Sequence, residues 1–365
     1  MKSRHLDYTL LIIAGILTGF GLIMISSASV GLSQEKYHES YYYLKNQLWR
    51  GLLPGLALAS LAFFIPYKNW RPLAFFFLIA SIGASLLVFI PGIGVKIGGS
   101  TRWIQIGSLI VQPSEFLKLS AIIYLAAWLS AKGKKVKDFS ESLLPFMILM
   151  VIVAGLLIAQ PDIGTLGVIG FTALAIYFLA GAMASHLALV SAGAVILFFA
   201  VTRFFSHASN RLKVFLHPEL EPLGIGYQIN QALMALGSGG IFGVGLGQGL
   251  QKFKYLPQPA SDSIIAVIGE ELGFIGLLCL LLFFIFFAAR GLKIARGAPD
   301  DFGKLLAGGI TCWIIIQALI NIAAICGLAP LTGITLPFIS LGGSSLVITL
   351  AATGILLNIS KYSKL

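Results

Sequence analysis

The residues best placed to do chemistry are carboxylates at the start of a long apolar segment. Asp262 ends a polar stretch, 252–262, and a membrane-length apolar run begins at Ser263. Glu270 and Glu271 lie two helical turns further along that run. Ionisable groups at membrane depth cost free energy, so they mark candidate functional sites. Asp262 therefore has two interpretations: a carboxylate that accepts a proton in a reaction, or the N-cap of a helix that begins at a membrane surface.

A second group of polar residues opens another apolar run. Glu115 and Lys118 are three residues apart, which places them on one face of a helix. They either form a buried ion pair that stabilises packing, or they hold a cation, oriented by Glu115, near an anionic lipid headgroup. The segment 160–162 ends in Asp162, for which helix capping is the predicted role.

A third candidate is the segment 330–345, which is rich in proline, glycine, serine and threonine and precedes the last apolar run. Prolines and glycines interrupt helices, and irregular backbone at membrane depth is tolerated only where it is buried or lines a cavity. Free backbone N–H groups ahead of a helix suit a phosphate, and Ser344 lies in that position. The alternative is a re-entrant turn with a purely structural role.

The elements that must position these residues are those of an all-α membrane protein. The 365 residues are 58% hydrophobic and 11% charged, whereas soluble domains carry about 25% charged residues. Apolar runs of about twenty residues predict a polytopic bundle of about ten transmembrane helices that forms one domain, 1–365. The predicted spans are 8–28, 48–66, 72–90, 114–131, 143–160, 163–181, 187–204, 263–289, 305–328 and 343–358.

Basic residues are distributed unevenly between the connecting segments. If both termini are cytoplasmic, the cytoplasmic segments contain 14 of the 25 basic residues and 5 of the 14 acidic residues, a net charge of +9. The remainder of the chain then holds 11 basic and 9 acidic residues, a net charge of +2. Because short cytoplasmic loops of membrane proteins are enriched in lysine and arginine, both termini are predicted to be cytoplasmic.

With that orientation, the segment 91–113 lies on the outer face. It is glycine-rich and then amphipathic, and it contains Arg102 and Trp103. Tryptophan is common at the interface between membrane and water, so Trp103 is either an aromatic anchor or part of a groove that receives substrate.

A longer outer connection, 205–262, precedes the eighth span. It contains Arg211 and Lys213, an amphipathic helix predicted around 227–236, and the glycine-rich run 237–249. Connections of this length without transmembrane character are usually functional. We therefore treat Arg211 and Lys213 as candidate ligands for an anion.

Several classes of function have no support in the sequence. The glycine run lacks the spacing of a dinucleotide-binding loop, no phosphate-binding loop with its lysine is present, and ATP-driven transport is therefore unsupported. The basic residues are scattered along the chain, which argues against binding to nucleic acid. Cys279, Cys312 and Cys326 lie inside apolar runs without the spacing of metal ligands, so we interpret them as core residues.

Five motifs, read in order along nearly the whole chain, resemble those of a known family. They are Arg102-Trp103-Ile104 with Gln112-Pro113-Ser114-Glu115, Gln160-Pro161-Asp162-Ile163-Gly164-Thr165, Gly226-Tyr227-Gln228-Ile229 with Ala235-Leu236-Gly237-Ser238-Gly239-Gly240, Asp262 with Gly269-Glu270-Glu271-Leu272-Gly273, and Thr332-Gly333-Ile334 through Gly342-Gly343-Ser344-Ser345. On these motifs and the ten spans, the sequence resembles the SEDS family (shape, elongation, division and sporulation). It looks most like the division branch of that family.

The resemblance implies a peptidoglycan glycosyltransferase. Such an enzyme polymerises lipid II, an undecaprenyl-pyrophosphate-linked disaccharide pentapeptide, at the outer face of the bacterial cytoplasmic membrane. The resemblance also implies a partner, a class B penicillin-binding protein that cross-links the peptides, together with other membrane proteins of the division machinery. The family's catalytic aspartate matches Asp262.

The reaction assigns roles to the candidate residues. Asp262 is predicted to accept the proton of the attacking sugar hydroxyl. Glu270 is predicted to support the site, because it lies about 80° around the helix from Asp262, whereas Glu271 faces away. The candidate substrate-binding residues are Arg102, Trp103, Glu115, Lys118, Arg211, Lys213, Glu270 and Ser344. The sequence requires no cofactor, although a divalent cation, Mg²⁺ or Mn²⁺, would suit a pyrophosphate leaving group.

Other functions remain compatible with these features. Broken helices and charged residues at membrane depth also suit a lipid II flippase or another secondary transporter. An elongation-type member of the same family and a scaffold that only binds a transpeptidase are further alternatives.

Overall fold

The chain folds into a bundle of long apolar helices. A computed structural model describes residues 6–97, 100–107, 109–218, 221, 224–253 and 255–364. Lys254, which belongs to the polar stretch before Asp262, lies outside the described residues. Within the described part, nine helices are long and apolar enough to cross a membrane, and a further apolar helix, Ile163–Leu179, has 17 residues. The chain is therefore a multi-pass membrane protein.

The α-helices of the described chain are numbered here in order. They are α1 (Tyr8–Tyr37), α2 (Tyr42–Gln47), α3 (Leu53–Phe64), α4 (Trp70–Leu86), α5 (Pro113–Lys132), α6 (Leu144–Ala159), α7 (Ile163–Leu179), α8 (Ala184–Phe204), α9 (Ser206–Leu216), α10 (Tyr227–Gly239), α11 (Ile264–Gly297), α12 (Asp301–Ile325) and α13 (Gly343–Ser360). A π-helical turn joins α2 to α3, so that together they form one span, Tyr42–Phe64.

The ten predicted spans all fall on these helices, and the prediction of about ten transmembrane helices is confirmed. The boundaries differ most at α1, which continues to Tyr37 although the predicted span ends at 28. Residues after 28 include serine, glutamine and glutamate, which a helix accepts but a hydropathy pattern does not detect. The amphipathic helix predicted at 227–236 is α10, and α9 precedes it within the same connection.

The segment before α5 is not helical, and here the all-α prediction is wrong in detail. It forms a three-stranded antiparallel sheet in the order β1 (Gly94–Ile97), β2 (Ser100–Ile106) and β3 (Leu109–Val111). The strands contain the β-branched and aromatic residues that favour extended backbone. Gly94 allows the sheet to approach the preceding helical turn, since a Cβ at this position would lie only 1.9 Å from the carbonyl oxygen of Val88.

The two ends of the described chain meet at one end of the bundle. At the start of α1, the Asp7 carboxylate pairs with Arg290 of α11, with 2.7 Å between Oδ2 and Nη2. The Asp7 backbone N–H donates to the Ser360 hydroxyl at the end of α13 (3.2 Å). Asp262 precedes the other end of α11, on the order of 40 Å away at 1.5 Å per helical residue. The polar face around Asp262 is therefore opposite the chain ends.

Candidate catalytic site around Asp262

Asp262 lies in the turn that leads into α11, and its carboxylate points into a polar cluster. The helix N-cap is Ser263, so the interpretation of Asp262 as the N-cap is wrong. Its Oδ2 accepts a hydrogen bond from Gln228 Nε2 of α10 (3.4 Å), and its Oδ1 accepts one from the Ser261 hydroxyl (3.2 Å). Both donors are neutral, and among the residues that the structure describes the Asp262 carboxylate forms no direct ion pair, so it is available to accept a proton.

The irregular segment between α12 and α13 holds the turn in place. The Ser340 hydroxyl donates to the Ser261 carbonyl (2.6 Å), and the Leu341 N–H donates to the Ala260 carbonyl (2.8 Å). Asn321 of α12 donates from Nδ2 to the carbonyls of both Asp262 (3.0 Å) and Ile334 (2.8 Å). Irregular backbone at this depth is thus buried and hydrogen-bonded, as a membrane environment requires.

Arg211 of α9 approaches the same carboxylate across Gly333. Arg211 Nη2 and Asp262 Oδ2 lie 3.4 Å and 3.7 Å from the position that a Cβ on Gly333 would occupy. Gly333 has φ +67°, a left-handed conformation that glycine adopts without strain. Because Gly333 has no side chain, the Arg211 guanidinium and the Asp262 carboxylate both lie close to its backbone.

Burial and charge shift the titration of both groups. Burial raises the pKa of Asp262, and hydrogen bonds from Gln228 and Ser261 together with the charge of Arg211 oppose that shift. Burial also lowers the pKa of Arg211, and the positive charge of Arg102 adds to this effect. Arg102 and Arg211 thus share one electrostatic environment with Asp262 and Asp162.

Arg102 of β2 belongs to a second polar cluster beside this one. Its Nη1 lies 3.4 Å from Asp162 Oδ1, and its Nε donates to the Gln160 carbonyl (3.3 Å). Asp162 caps α7, as predicted, by accepting from the Thr165 N–H. It also accepts from the Ser114 hydroxyl at the start of α5 (3.1 Å). The sheet, α5 and α7 therefore converge on Asp162, which orients Arg102.

Lys118 lies inside the bundle, and its side chain is 3% exposed. Its Nζ donates to Glu115 Oε1 (2.9 Å) and to Gln317 Oε1 of α12 (2.7 Å), and it lies 5.3 Å from the centre of the Trp313 ring. The buried ion pair, one of the two interpretations of these residues, is therefore present. Gln317 lies one helical turn from Asn321, which donates to the Asp262 carbonyl. Helix α12 therefore connects Lys118 to the backbone of Asp262.

The remaining candidate residues occupy different places. Trp103 is half-buried on β2, opposite Val95 of β1. Ser344, at the start of α13, accepts a hydrogen bond from the Gln112 N–H (3.2 Å), which joins α13 to the N-terminus of α5. Lys213 is exposed on α9. Within the part of the chain that the structure describes, Trp103, Lys213 and Ser344 thus make no hydrogen bond or ion pair with Asp262.

Glu270 is buried in the second turn of α11, away from Asp262. Its Oε1 accepts hydrogen bonds from the backbone N–H groups of Leu250 (2.7 Å) and Gln251 (3.2 Å). Its support of the site, which the sequence predicts, would therefore act through the loop that leads to Asp262. Direct contact between the two carboxylates is not observed.

Sequence reasoning missed three amide side chains: Gln228 and Asn321, which contact Asp262, and Gln317, which contacts Lys118. Gln317 and Asn321 lie four residues apart inside an apolar span, and such polar residues on one face of a transmembrane helix are a detectable signal of buried contacts. Gln228 lay within a motif that was recognised, but no role was assigned to it. Among the described residues, no group of three or more histidine, cysteine, aspartate or glutamate side chains is arranged to hold a metal ion.

The fold and the site together define a class: a polytopic helical membrane protein with a carboxylate and two arginines at one end of its bundle. A family model described as "Cell cycle protein", which covers FtsW, RodA and SpoVE, matches residues 8–365. The chain therefore belongs to the FtsW/RodA/SpoVE family, which is the SEDS family that the motifs resemble.

Individual relatives match the chain from end to end. Stage V sporulation protein E of Bacillus subtilis (strain 168) is 41% identical over 365 residues, covering 100% of this chain and 99% of the relative. The probable peptidoglycan glycosyltransferase FtsW of Trichlorobacter lovleyi is 42% identical over 367 residues, covering 100% and 95%.

Solved structures share the fold. A chain from the work described as "Structural coordination of polymerization and crosslinking by a peptidoglycan synthase complex" superposes with a TM-score of 0.82 at 26% identity, covering 98% of each chain. The rod shape determining protein RodA of Thermus thermophilus superposes with a TM-score of 0.72 at 27% identity, covering 99% of this chain and 98% of that chain.

Proposed function

We propose that this protein is a peptidoglycan glycosyltransferase that polymerises lipid II into glycan strands. The observation that carries the proposal is the partly buried Asp262 carboxylate, held by neutral donors and faced by Arg211. Relatives named as probable peptidoglycan glycosyltransferases at about 40% identity support the same reaction.

Asp262 is the general base in this proposal. The reaction joins the C4 hydroxyl of one disaccharide to C1 of another and releases polyprenyl pyrophosphate. A carboxylate within hydrogen-bond reach of the hydroxyl removes its proton as the new bond forms. Burial raises the pKa of Asp262, which makes its carboxylate a stronger base than an exposed aspartate.

The basic residues stabilise the leaving group. Pyrophosphate gains negative charge as the sugar bond breaks, and preoriented cations at that position lower the barrier. Arg102 and Arg211 are the first candidates because both lie in the electrostatic environment of Asp262. Lys213 is exposed on α9, two residues from Arg211, and Lys118 is connected to the site indirectly, through Gln317 of α12. An optional divalent cation, Mg²⁺ or Mn²⁺, would bind chiefly through the pyrophosphate.

The partner in this proposal is a class B penicillin-binding protein. A structural neighbour comes from a peptidoglycan synthase complex that coordinates polymerisation and crosslinking, which supports such a pairing. The FtsW names among the relatives favour septal wall synthesis with other proteins of the division machinery. An elongation role like that of RodA is the alternative within the family.

Purified chain, its transpeptidase partner and lipid II test the function directly. Glycan strands separated by gel electrophoresis are the expected product. Lipid II moved across a vesicle membrane without polymer would instead favour a flippase, and neither product would favour a scaffold. The polar site at one end of the bundle, rather than midway through it, favours the polymerase.

The orientation proposed here places the protein in the bacterial cytoplasmic membrane with Asp262 on the outer face. A reporter fused after Lys135 or Lys293 is expected to give a cytoplasmic signal, and one inserted at His217 an external signal, because the basic residues are concentrated on the inner side. Alkaline phosphatase and fluorescent protein fusions measure this. An external signal at Lys293 would contradict the ten-span orientation.

The pH dependence of polymerisation follows from the titration of Asp262. A base acts only when deprotonated, so the rate falls as pH drops through its pKa. Because burial raises that pKa, the acid limb of kcat is expected at higher pH than the value of about 3.9 of an unperturbed aspartate. Initial rates between pH 4 and pH 8, with folding monitored in parallel, measure the limb. A rate that stays constant down to pH 4 would contradict the assignment.

A further inference from the structure

A buried ion pair, Lys252–Glu271, lies outside the catalytic cluster and close in sequence to a break in α11. Gly273 has φ +66° and interrupts the helix, which frees the carbonyls and N–H groups on either side of it. The loop after α10 satisfies them: Val244 N–H donates to the Glu270 carbonyl (3.0 Å), and Phe274 N–H donates to the Gly240 carbonyl (2.9 Å). The loop is thus hydrogen-bonded to both halves of α11.

Lys252 lies in the loop after α10 and connects that loop to α1 and α11. Its Nζ donates to Glu271 Oε1 (2.6 Å), to the Ser27 hydroxyl of α1 (2.9 Å) and to the Gly247 carbonyl (2.8 Å). The three donors of an ammonium group are therefore all used. The side chains of Lys252 and Glu271 are 3% and 0% exposed.

The second half of the arrangement is the pair of carboxylates on α11. Glu271 also accepts from the Ser27 hydroxyl at 2.7 Å and 2.9 Å to its two oxygens. Glu270 accepts from the N–H groups of Leu250 and Gln251, which immediately precede Lys252. We call the set Ser27, Gly247, Lys252 and Glu271 the clasp. It fixes the loop to α1 and α11 at one point.

A series of turns connects the clasp to Asp262. The Leu256 N–H donates to the Gln251 carbonyl (2.8 Å), and the N–H groups of Ser261 and Ser263 donate to the Gln258 carbonyl (3.1 Å and 3.3 Å). Leu256 and Ala260 are buried. Lys252 and Asp262 are ten positions apart in the chain, so a displacement at the clasp is expected to reach the catalytic turn.

We propose that the Lys252–Glu271 ion pair positions Asp262 for proton abstraction. The proposal rests on the glycosyltransferase function proposed above. Removing one partner of a buried ion pair leaves an uncompensated charge and is strongly destabilising, so the attachment of the loop to α1 and α11 is expected to loosen. The hydrogen bonds of the clasp do not include Asp262, so its proposed effect is on the position of the catalytic turn. Small displacements of a catalytic group lower the rate far more than they weaken substrate binding.

The test compares variants of the clasp with matched controls on the same helices. Lys252→Met and Glu271→Gln are expected to lower kcat for lipid II polymerisation by ~10- to 100-fold, with KM within about twofold of wild type. Arg290→Met breaks the Asp7 ion pair at the far end of α11 and is expected to lower thermal stability while kcat is retained. Ser27→Ala is the milder variant of the clasp, and neighbouring Ser26→Ala, whose hydroxyl bonds only within α1, is its control.

Hydrogen–deuterium exchange of the segment 255–263 gives a readout that does not depend on activity. Exchange there is expected to accelerate in Lys252→Met and Ser27→Ala but not in Arg290→Met or Ser26→Ala. Unchanged exchange and kcat in the clasp variants, or a loss of kcat that only follows the folded fraction, would overturn the proposal. If the wild type makes no glycan, the proposed function fails, and accelerated exchange still supports the mechanical link.

Discussion

Asp262→Asn is expected to reduce glycan-strand synthesis by roughly 10²–10⁴-fold, the usual cost of removing a general base. Asparagine has nearly the same shape: its one side-chain oxygen still accepts from Gln228, and its NH2 group donates to the Ser261 hydroxyl instead of accepting from it, so the turn before α11 is expected to stay intact. What it loses is the ability to take a proton. Asp262→Glu is expected to recover little activity, because the longer side chain displaces the carboxylate from the attacking hydroxyl. Polymerisation of lipid II by the purified variant with its partner measures both.

Asp301→Asn is the matched control for this change. Asp301 is exposed in the first turn of α12, at the end of the bundle opposite Asp262, and the same loss of charge there is expected to leave polymerisation unchanged. Thermal unfolding and partner binding of both variants separate a loss of catalysis from a loss of structure. Near-normal strand synthesis by Asp262→Asn would remove the general base from the mechanism.

Gly333→Ala is expected to lower polymerisation at least tenfold by two combined effects. The left-handed backbone at Gly333 costs an alanine about 1–2 kcal/mol. In addition, the new methyl group lies 3.4 Å from Arg211 Nη2 and 3.7 Å from Asp262 Oδ2, in the space where they face each other. Substrate that must reach both groups is therefore obstructed. Steady-state kinetics with lipid II are expected to show a higher KM as well as a lower kcat.

The control for Gly333→Ala is a glycine with the same strain but no neighbours. Gly181 has φ +86°, and a Cβ there meets nothing within 4 Å. Gly181→Ala is thus expected to reduce thermal stability to a similar degree while kinetics stay near wild type. Equal kinetic effects of the two substitutions would show that backbone strain alone, and not proximity to Arg211 and Asp262, accounts for the result.

The spans and the central carboxylate were predictable because each is a local property of the chain. A run of twenty apolar residues is visible in the sequence wherever it packs, and Asp262 is conspicuous because it stands directly before such a run. The cap at Asp162 was predictable for the same reason, since it depends on residues three positions away.

The pairings across the bundle were not predictable from composition or spacing. Arg102 meets Asp162, and Lys118 meets Gln317, only because the sheet, α5, α7 and α12 converge in three dimensions. The sheet itself was missed because its strands are short and interrupted by glycine, so alternation is weak. Glu271 contacts Lys252 and Ser27, and Lys252 comes from a loop whose path no local pattern specifies.

The meeting of the chain ends at Asp7, Arg290 and Ser360 has a consequence for biosynthesis. The Asp7 N–H at the start of the first span has its Ser360 partner only after the last span has been synthesised. At a synthesis rate of roughly 5–20 residues per second, the time between the two is tens of seconds. The segment between α12 and α13 is hydrogen-bonded to the turn that contains Asp262. It is also synthesised late, directly before the last span. A nascent chain released before Pro330 therefore lacks both its closing contact at Ser360 and the segment that supports Asp262, and we expect such truncated products to be targets for membrane proteases.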